Sequence, residues 1–319
     1  TLQQPLFTPE TEWVPPDKLP DLSGHLEIAI DLETRDPNLL TMGSGSVRRD
    51  GEVVGIAVAV EGWSGYFPIA HEGGGNMDRA LVLDWFEELL HNTATKIFHN
   101  AMYDVSWIRS MGFSINGGIV DTMVAASLCN ENRWSFTLDS VAKDYIGMRK
   151  KEKLLQDAAK EWGINPKAEM WRLPAPFVGE YAEKDAEITL KLYHALQHEI
   201  TKQDLWDVFN METNLFPYLV DMKFKGVRVD VAKAHAVKTQ LTTQEGKLLR
   251  DIKKMAGFDV EIWAAASIAK AFEKSNLPYD RTDKGAPSFT KNFLATHPHE
   301  LPKLINQARE INKANTTFI

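Results

Sequence analysis

The sequence predicts an α/β fold class, strands first and helices after. Three observations carry that expectation. Residues 25–69 hold three short apolar runs separated by turn-forming residues, the pattern of a β-meander. From residue 96 onward, apolar residues recur at helical spacing between candidate caps and glycine stops. Beyond residue 205 the chain reads as mostly helical. Its 319 residues, 44% hydrophobic, allow two domains of ordinary size with real cores.

The first strand candidate is His25–Thr34, where Ile28 and Ile30 precede Asp31-Leu32-Glu33. Side chains two apart on a strand share a face, roughly 7 Å from one another, so Asp31 and Glu33 project together from its C-terminal end. Two carboxylates that close repel unless a cation lies between them. Taken alone, the pattern also suits an acidic loop after an edge strand. Glu52–Val60 forms the second strand and Trp63–Ile69 the third, with Gly43–Ser46 and Arg48–Gly51 as turn material between the first two.

Lys96–Asn100 is an apolar stretch feeding a helix, with Asn100 at the N-cap and Gly112 as the stop. Asn100 and Asp104, four apart, lie along one side of the first turn. By itself this is also a plain capped helix with an exposed first-turn acid. Residues 180–193 form a strong helix on which Tyr181, Asp185, Ile188 and Leu192 fall on successive turns of one face. A carboxylate on a core-facing stripe is costly without a partner, and a metal ion removes that cost. The Tyr181 hydroxyl, one turn away, is then placed to orient a water. Glu183 and Glu187 read as solvated, with Lys184 and Lys191 as local partners. Four carboxylates are what two hard cations require. Mg²⁺ and Mn²⁺ prefer oxygen, and two such ions about 3.5–4 Å apart clamp the attacking and departing oxygens of a phosphodiester.

D-x-E at 31–33, N-x-x-x-D at 100–104 and Y-x-x-x-D at 181–185, in this order, resemble the three motifs of the RNase H-like 3′→5′ exonucleases of the DEDD group, in the subgroup with Tyr in the third motif. Val120–Leu128 and Leu138–Ala142 are similar to helices that those enzymes place between motifs two and three. The likeness spans about residues 25–200. It implies an RNase H-like mixed sheet flanked by helices. By resemblance, Asp31, Glu33 and Asp185 bind a first Mg²⁺ or Mn²⁺, while Asp31 and Asp104 bind a second, partly through water. Tyr181 positions the nucleophilic water, and Leu32, Thr34 and Asn100 contact substrate. Asp121 is a structural cap.

Met211–Asp230 resembles the segment that opens the thumb of family A DNA polymerases, and Ser267–Ile319 continues that likeness. No palm or fingers follow, so the chain reads as an amino-terminal polymerase fragment. The turn-rich insert after the first strand and the segment Trp162–Trp171 are similar to bacteriophage versions. The expected organisation is an extended Pro-rich arm (1–24), a 3′→5′ exonuclease domain (25–204) and a partial helical thumb (205–319). The expected partner is DNA, as a single-stranded 3′ end or a primer-template, with the exonuclease acting in proofreading. A ribonuclease D-like RNA-processing enzyme and an inactive exonuclease fold kept as a DNA-binding module are the alternatives.

Charge agrees once it is divided. Residues 1–204 carry 19 Lys and Arg against 31 Asp and Glu, whereas residues 205–319 carry 17 against 13. Bound cations offset the acidic part locally, and the basic part suits a phosphate backbone. Arg149–Lys151 with Lys153 is the densest basic cluster of the first domain, either a solvated helix end or a contact for the incoming strand. The single Cys129 forms no internal disulfide, reads as core and fits a reducing cytoplasm, the host's for a phage protein. No apolar run approaches the roughly 20 residues that span a bilayer, and no signal-peptide pattern opens the chain, so no membrane partner is expected.

Overall fold

The computed structural model describes Pro5 and residues 8–319, so part of the expected N-terminal arm (residues 1–4, 6 and 7) lies outside the described residues. The meander forms as β1 (Glu27–Arg35), β2 (Glu52–Val60) and β3 (Trp63–Pro68), each antiparallel to the next. Between β1 and β2 the expected turns are replaced by two single-turn helices, α1 (Leu39–Met42) and α2 (Gly45–Arg48). Local side chains close the second of them. The Asp36 carboxylate accepts from the Gly45 amide at 3.0 Å, and Arg48 pairs with Asp50 at 2.8 Å.

The chain then enters α3 (Arg79–His91), capped by the Asp78 carboxylate, and runs through β4 (Thr95–Phe98), α4 (Ala101–Ser110) and β5 (Ile119–Asp121). β4 lies parallel to β1 and β5 parallel to β4, giving a mixed sheet ordered β3-β2-β1-β4-β5. The helices α5 (Thr122–Cys129), α6 (Leu138–Ile146), α7 (Lys153–Trp162), α8 (Gly179–Lys202) and α9 (Trp206–Lys225) follow. The segment from Val120 therefore begins as the end of a strand and becomes helical only at Thr122.

Strand alternation sorts the core into two layers. Ile28, Ile30 and Leu32 pack against Phe86 and Leu90 of α3, Val105 and Ile108 of α4, and Phe216 and Val220 of α9. Ala29, Ala57 and Ala59 face the other way, toward α5, α6, α7 and α8. Small residues on this face let α8 lie close to β1 and β2. Asp31 and Glu33 continue the Ala29 row, so the same alternation that fills the core aims both acids at α8.

Contacts divide the chain into a unit of residues 1–226 and a second of residues 227–319. The break between these compact units falls after α9. Phe209, Phe216 and Val220 bury that helix in the cores of the first unit, and Lys223 Nζ donates to Ser106 Oγ at 3.0 Å. In the second unit, Val227–Asp230 has no regular structure and leads into α10 (Val231–Ala256) and α11 (Ala265–Lys274). A two-stranded ribbon, β6 (Asp280–Arg281) and β7 (Pro287–Ser288), precedes α12 (Lys291–Thr296) and α13 (Glu300–Lys313). Its core gathers on Phe272, whose ring lies 4.9 Å from Phe289, with Ile252, Leu294, Leu301 and Ile305 around it. Among the described residues, no helix is long and apolar enough to cross a membrane.

Candidate active site

The three acidic segments meet at the C-terminal end of β1. In open α/β sheets the crevice beyond the carboxyl ends of the strands is where ligands sit, and the pairing explains why one exists here. β4 accompanies β1 only from Glu27 to Ala29, so beyond that point β1 has a free edge. Asp104 fills it: its Oδ1 accepts from the Leu32 amide at 2.9 Å. That bond turns a first-turn helix acid, which could have faced solvent, into a buried one, 4% exposed. Glu33 and Asp185 are also buried, and Asp31 is half-buried.

Gathering like charges away from water has the expected electrostatic result. Burial raises the Glu33 carboxyl well above the ordinary range, and the charges of Asp31 and Asp185 push it further. Asp104 is raised by burial and then by Asp31. Asp31 is raised by burial against the pull of Lys150, and Asp185 is raised to about 7 by burial, again with Lys150 opposing. The Tyr181 phenol is pushed well up by burial and by the acids facing it, so it stays protonated and able to donate.

The donor set consists of oxygens alone, as Mg²⁺ and Mn²⁺ prefer. Oδ1 of Asp185 is buried with no hydrogen-bond partner, an unsatisfied acceptor of the kind an ion would complete. As the side chains stand, no three acids among the described residues are drawn together tightly enough to hold an ion. A cation of the chain's own stands among them. The Lys150 ammonium pairs with Oδ2 of Asp185 and donates to the Tyr181 hydroxyl at 3.3 Å.

A cavity of about 640 Å³ opens over these groups, lined by Glu33, Thr34, Tyr103, Arg149, Lys150 and Tyr181 among others. Leu32 also lines it, and the Thr34 hydroxyl shares a 2.6 Å hydrogen bond with the Tyr103 phenol. Asn100 is exposed at the head of α4, with φ at +66° and no side-chain cap bond. Its expected capping work is done by Asp121, whose carboxylate accepts from the Asn100, Ala101 and Met123 amides at 2.9, 2.9 and 2.8 Å.

A supporting shell backs the acids. Gly55 sits opposite Glu33 on β2, and a Cβ there would fall 1.9 Å from the Tyr66 hydroxyl. Glycine is needed so that this phenol can cross the strand. His71, held neutral by burial with its pKa at about 4, donates from Nδ1 to the Leu173 carbonyl at 3.1 Å. Its Nε2 must therefore accept from Tyr66, at 2.6 Å. Glu183, expected in solvent, is instead half-buried and accepts from Trp13 Nε1 at 3.0 Å and the Tyr66 amide at 3.2 Å. Glu187 does pair with Lys184 and Lys191, at 2.8 and 2.5 Å. Tyr103 and Tyr66 went unread in the sequence, and Lys150 was read as a candidate strand contact but not as a partner of the acids. Only Lys150 had a signal there, its place in the basic cluster ahead of α7.

Residues 17–201 match the family described as 3′-5′ exonuclease. The chain belongs to that family, in the form carried by family A DNA polymerases. It is 35% identical to the DNA-directed DNA polymerase of Pseudomonas phage M6, over 99% of this chain and 49% of that relative. It is 30% identical to DNA polymerase DpoZ of Salmonella phage PMBT28, over 94% of this chain and 48% of the relative. The chain thus spans about half the length of the curated relatives it matches. Its fold is similar to that of the POL domain of Pol1 from M. smegmatis, solved in complex with DNA primer-template and dNTP. That likeness has a TM-score of 0.67 at 15% identity and covers 92% of this chain and 46% of the other. The exonuclease match encloses β1, α4 and all but the last residue of α8, the elements that carry the three motifs.

Proposed function

We propose that the chain is a two-metal-ion 3′→5′ exodeoxyribonuclease, the proofreading part of a phage-like family A DNA polymerase. The observation that carries this reading is the convergence of Asp31, Glu33, Asp104 and Asp185 from three elements, with the unsatisfied Oδ1 of Asp185 among them. Asp31, Glu33 and Asp185 would hold one ion, and Asp31 with Asp104 the other. Bound there, Mg²⁺ or Mn²⁺ supplies a water of lowered pKa and charge stabilisation on the departing 3′ oxygen.

The protein's own groups do the rest. Asp104 is locked by the Leu32 amide, which fixes the distance between α4 and β1. The protonated Tyr181 donates to the attacking water and aims it at the terminal phosphodiester, releasing a nucleoside 5′-monophosphate. Leu32, Thr34 and Asn100 are assigned to the substrate strand, the first two from within the cleft wall. A single-stranded 3′ end is the preferred substrate because a mispaired terminus separates at less cost than a paired one. The basic surplus of residues 205–319 suits duplex behind that end, as the start of a thumb would.

The test is Asp31→Ala with Glu33→Ala, assayed on a 5′-labelled single strand with Mg²⁺. Hydrolysis is expected to vanish while the metal-free melting temperature stays equal or rises, because like charges have been removed. Activity close to the parent's would overturn the site assignment.

A further inference from the structure

The cation that already occupies the acid cluster has no part in the chemistry above. Lys150 lies in the stretch of residues 147–152, which has no regular structure, between Gly147 closing α6 and Lys153 opening α7. Its backbone amide is tied to Asp139 Oδ1 at 3.1 Å, which sets the segment over the cleft. Its side chain is 17% exposed and reaches Asp185, whose side chain is 3% exposed. The ammonium also stands 5.1 Å above the Tyr181 ring. Both of its partners are groups that hydrolysis needs free: the Asp185 carboxylate for an ion, the Tyr181 hydroxyl for water. A divalent ion completing the free Oδ1 of Asp185 brings like charge close to the ammonium on Oδ2, and that repulsion favours its departure. Arg149 and Lys151, on either side, are exposed, and Lys151 pairs with Glu180 at 3.8 Å, outside the acid cluster.

We propose that Lys150 is a resident counter-ion that keeps the metal site charge-balanced, leaves Asp185 when a divalent ion binds, and then turns its ammonium to the phosphate of the strand in the cleft. The inference rests on the metal-dependent reading above. Lys150 becomes a positioning residue with two stations. In the first it neutralises part of the acid cluster and restrains Tyr181. In the second it sits on the cavity wall beside Arg149, where the substrate backbone passes. Ion binding and strand binding are coupled through this one side chain, because the ion releases the charge that the phosphate receives. Where a competing internal contact holds about nine molecules in ten, removing it tightens apparent affinity about tenfold.

Two measurements on the full chain test this, both read without turnover. Calorimetric titration with Mn²⁺ should give about tenfold tighter binding for Lys150→Met than for the parent. Mass-spectrometric footprinting with an amine-acylating reagent should show Lys150 of the parent protected without metal and several-fold more reactive with saturating Mn²⁺, while Lys151 is unchanged. The second measurement needs no variant, so it stands even if Lys150→Met folds poorly. Mn²⁺ binding to the parent with equal affinity for Lys150→Met, or with unchanged Lys150 reactivity, would overturn the counter-ion assignment and leave the nuclease reading intact. Absence of any Mn²⁺ binding to the parent would overturn both.

Discussion

Replacing Asp185 with Asn should stabilise the metal-free protein at pH 8 and weaken its response to metal. The magnitude follows from the site. The Asp185 carboxyl titrates at about 7 in the fold against an ordinary value of 3.8. Each unit corresponds to about 1.4 kcal/mol, so folding carries about 4 kcal/mol against the ionised group. Since the folded value is the raised one, the stability due to protonated Asp185 is complete below 3.8 and is lost as pH climbs through about 7. The amide removes the charge but also weakens the Lys150 pairing, so about half of that figure, roughly 2 kcal/mol, should be recovered at pH 8. For a unit of this size that is a rise of about 4–8 °C in melting temperature. The assay is thermal unfolding in EDTA at pH 5 and pH 8, repeated with Mg²⁺. The variant should melt well above the parent at pH 8, much closer to it at pH 5, and gain less from Mg²⁺ than the parent does. A variant that melts below the parent in EDTA at pH 8 would refute the claim that buried, uncompensated charge is what this site stores.

Tyr181→Phe removes only the hydroxyl that faces Lys150 and the acids. Single-strand hydrolysis should fall about a hundredfold while Mn²⁺ affinity by calorimetry is nearly unchanged; a loss of affinity would make the phenol structural. Trp13→Ala strips the indole that lies over Gly179, bonds Glu183 at 3.0 Å and packs 6.0 Å from the Tyr66 ring. Because Trp13 is half-buried, urea unfolding should show a loss near the low end for large-to-small changes, about 2–3 kcal/mol, and a loss below about 0.5 kcal/mol would mean that the arm does not support the site.

The strands and the acids were legible because each is specified locally. Glu52–Val60 is a strand wherever it sits, and the D-x-E spacing aims Asp31 and Glu33 by alternation alone. Burial and pairing that depend on a distant partner were not legible. Asp104 is buried by an amide 72 residues away, and Glu183 is drawn from solvent by an indole 170 residues away. Asn100 loses its capping role to Asp121 across β5 because its own backbone adopts the left-handed conformation. Lys150 sits in a run of bases that looks solvated on any local criterion, and only the fold turns one of them inward. For the same reason α9 joins the first compact unit: it has the composition of a fresh start, yet Phe209, Phe216 and Val220 find their cores behind it.

The distance in sequence between β1 and α8 matters for a chain made from its N-terminus. Asp31 and Glu33 leave the ribosome well before the helix that completes their pocket, which begins only at Gly179. Until then the strand's acidic end has no facing carboxylate, no Tyr181 and no packed α8 to keep water from the Ala29 row. Domains fold as units once their long-range partners have emerged. A nascent chain shorter than about Asp185 therefore cannot assemble the cluster, however much of the sheet it has formed. Synthesis order thereby delays the assembled acid cluster until the rest of its own domain exists around it.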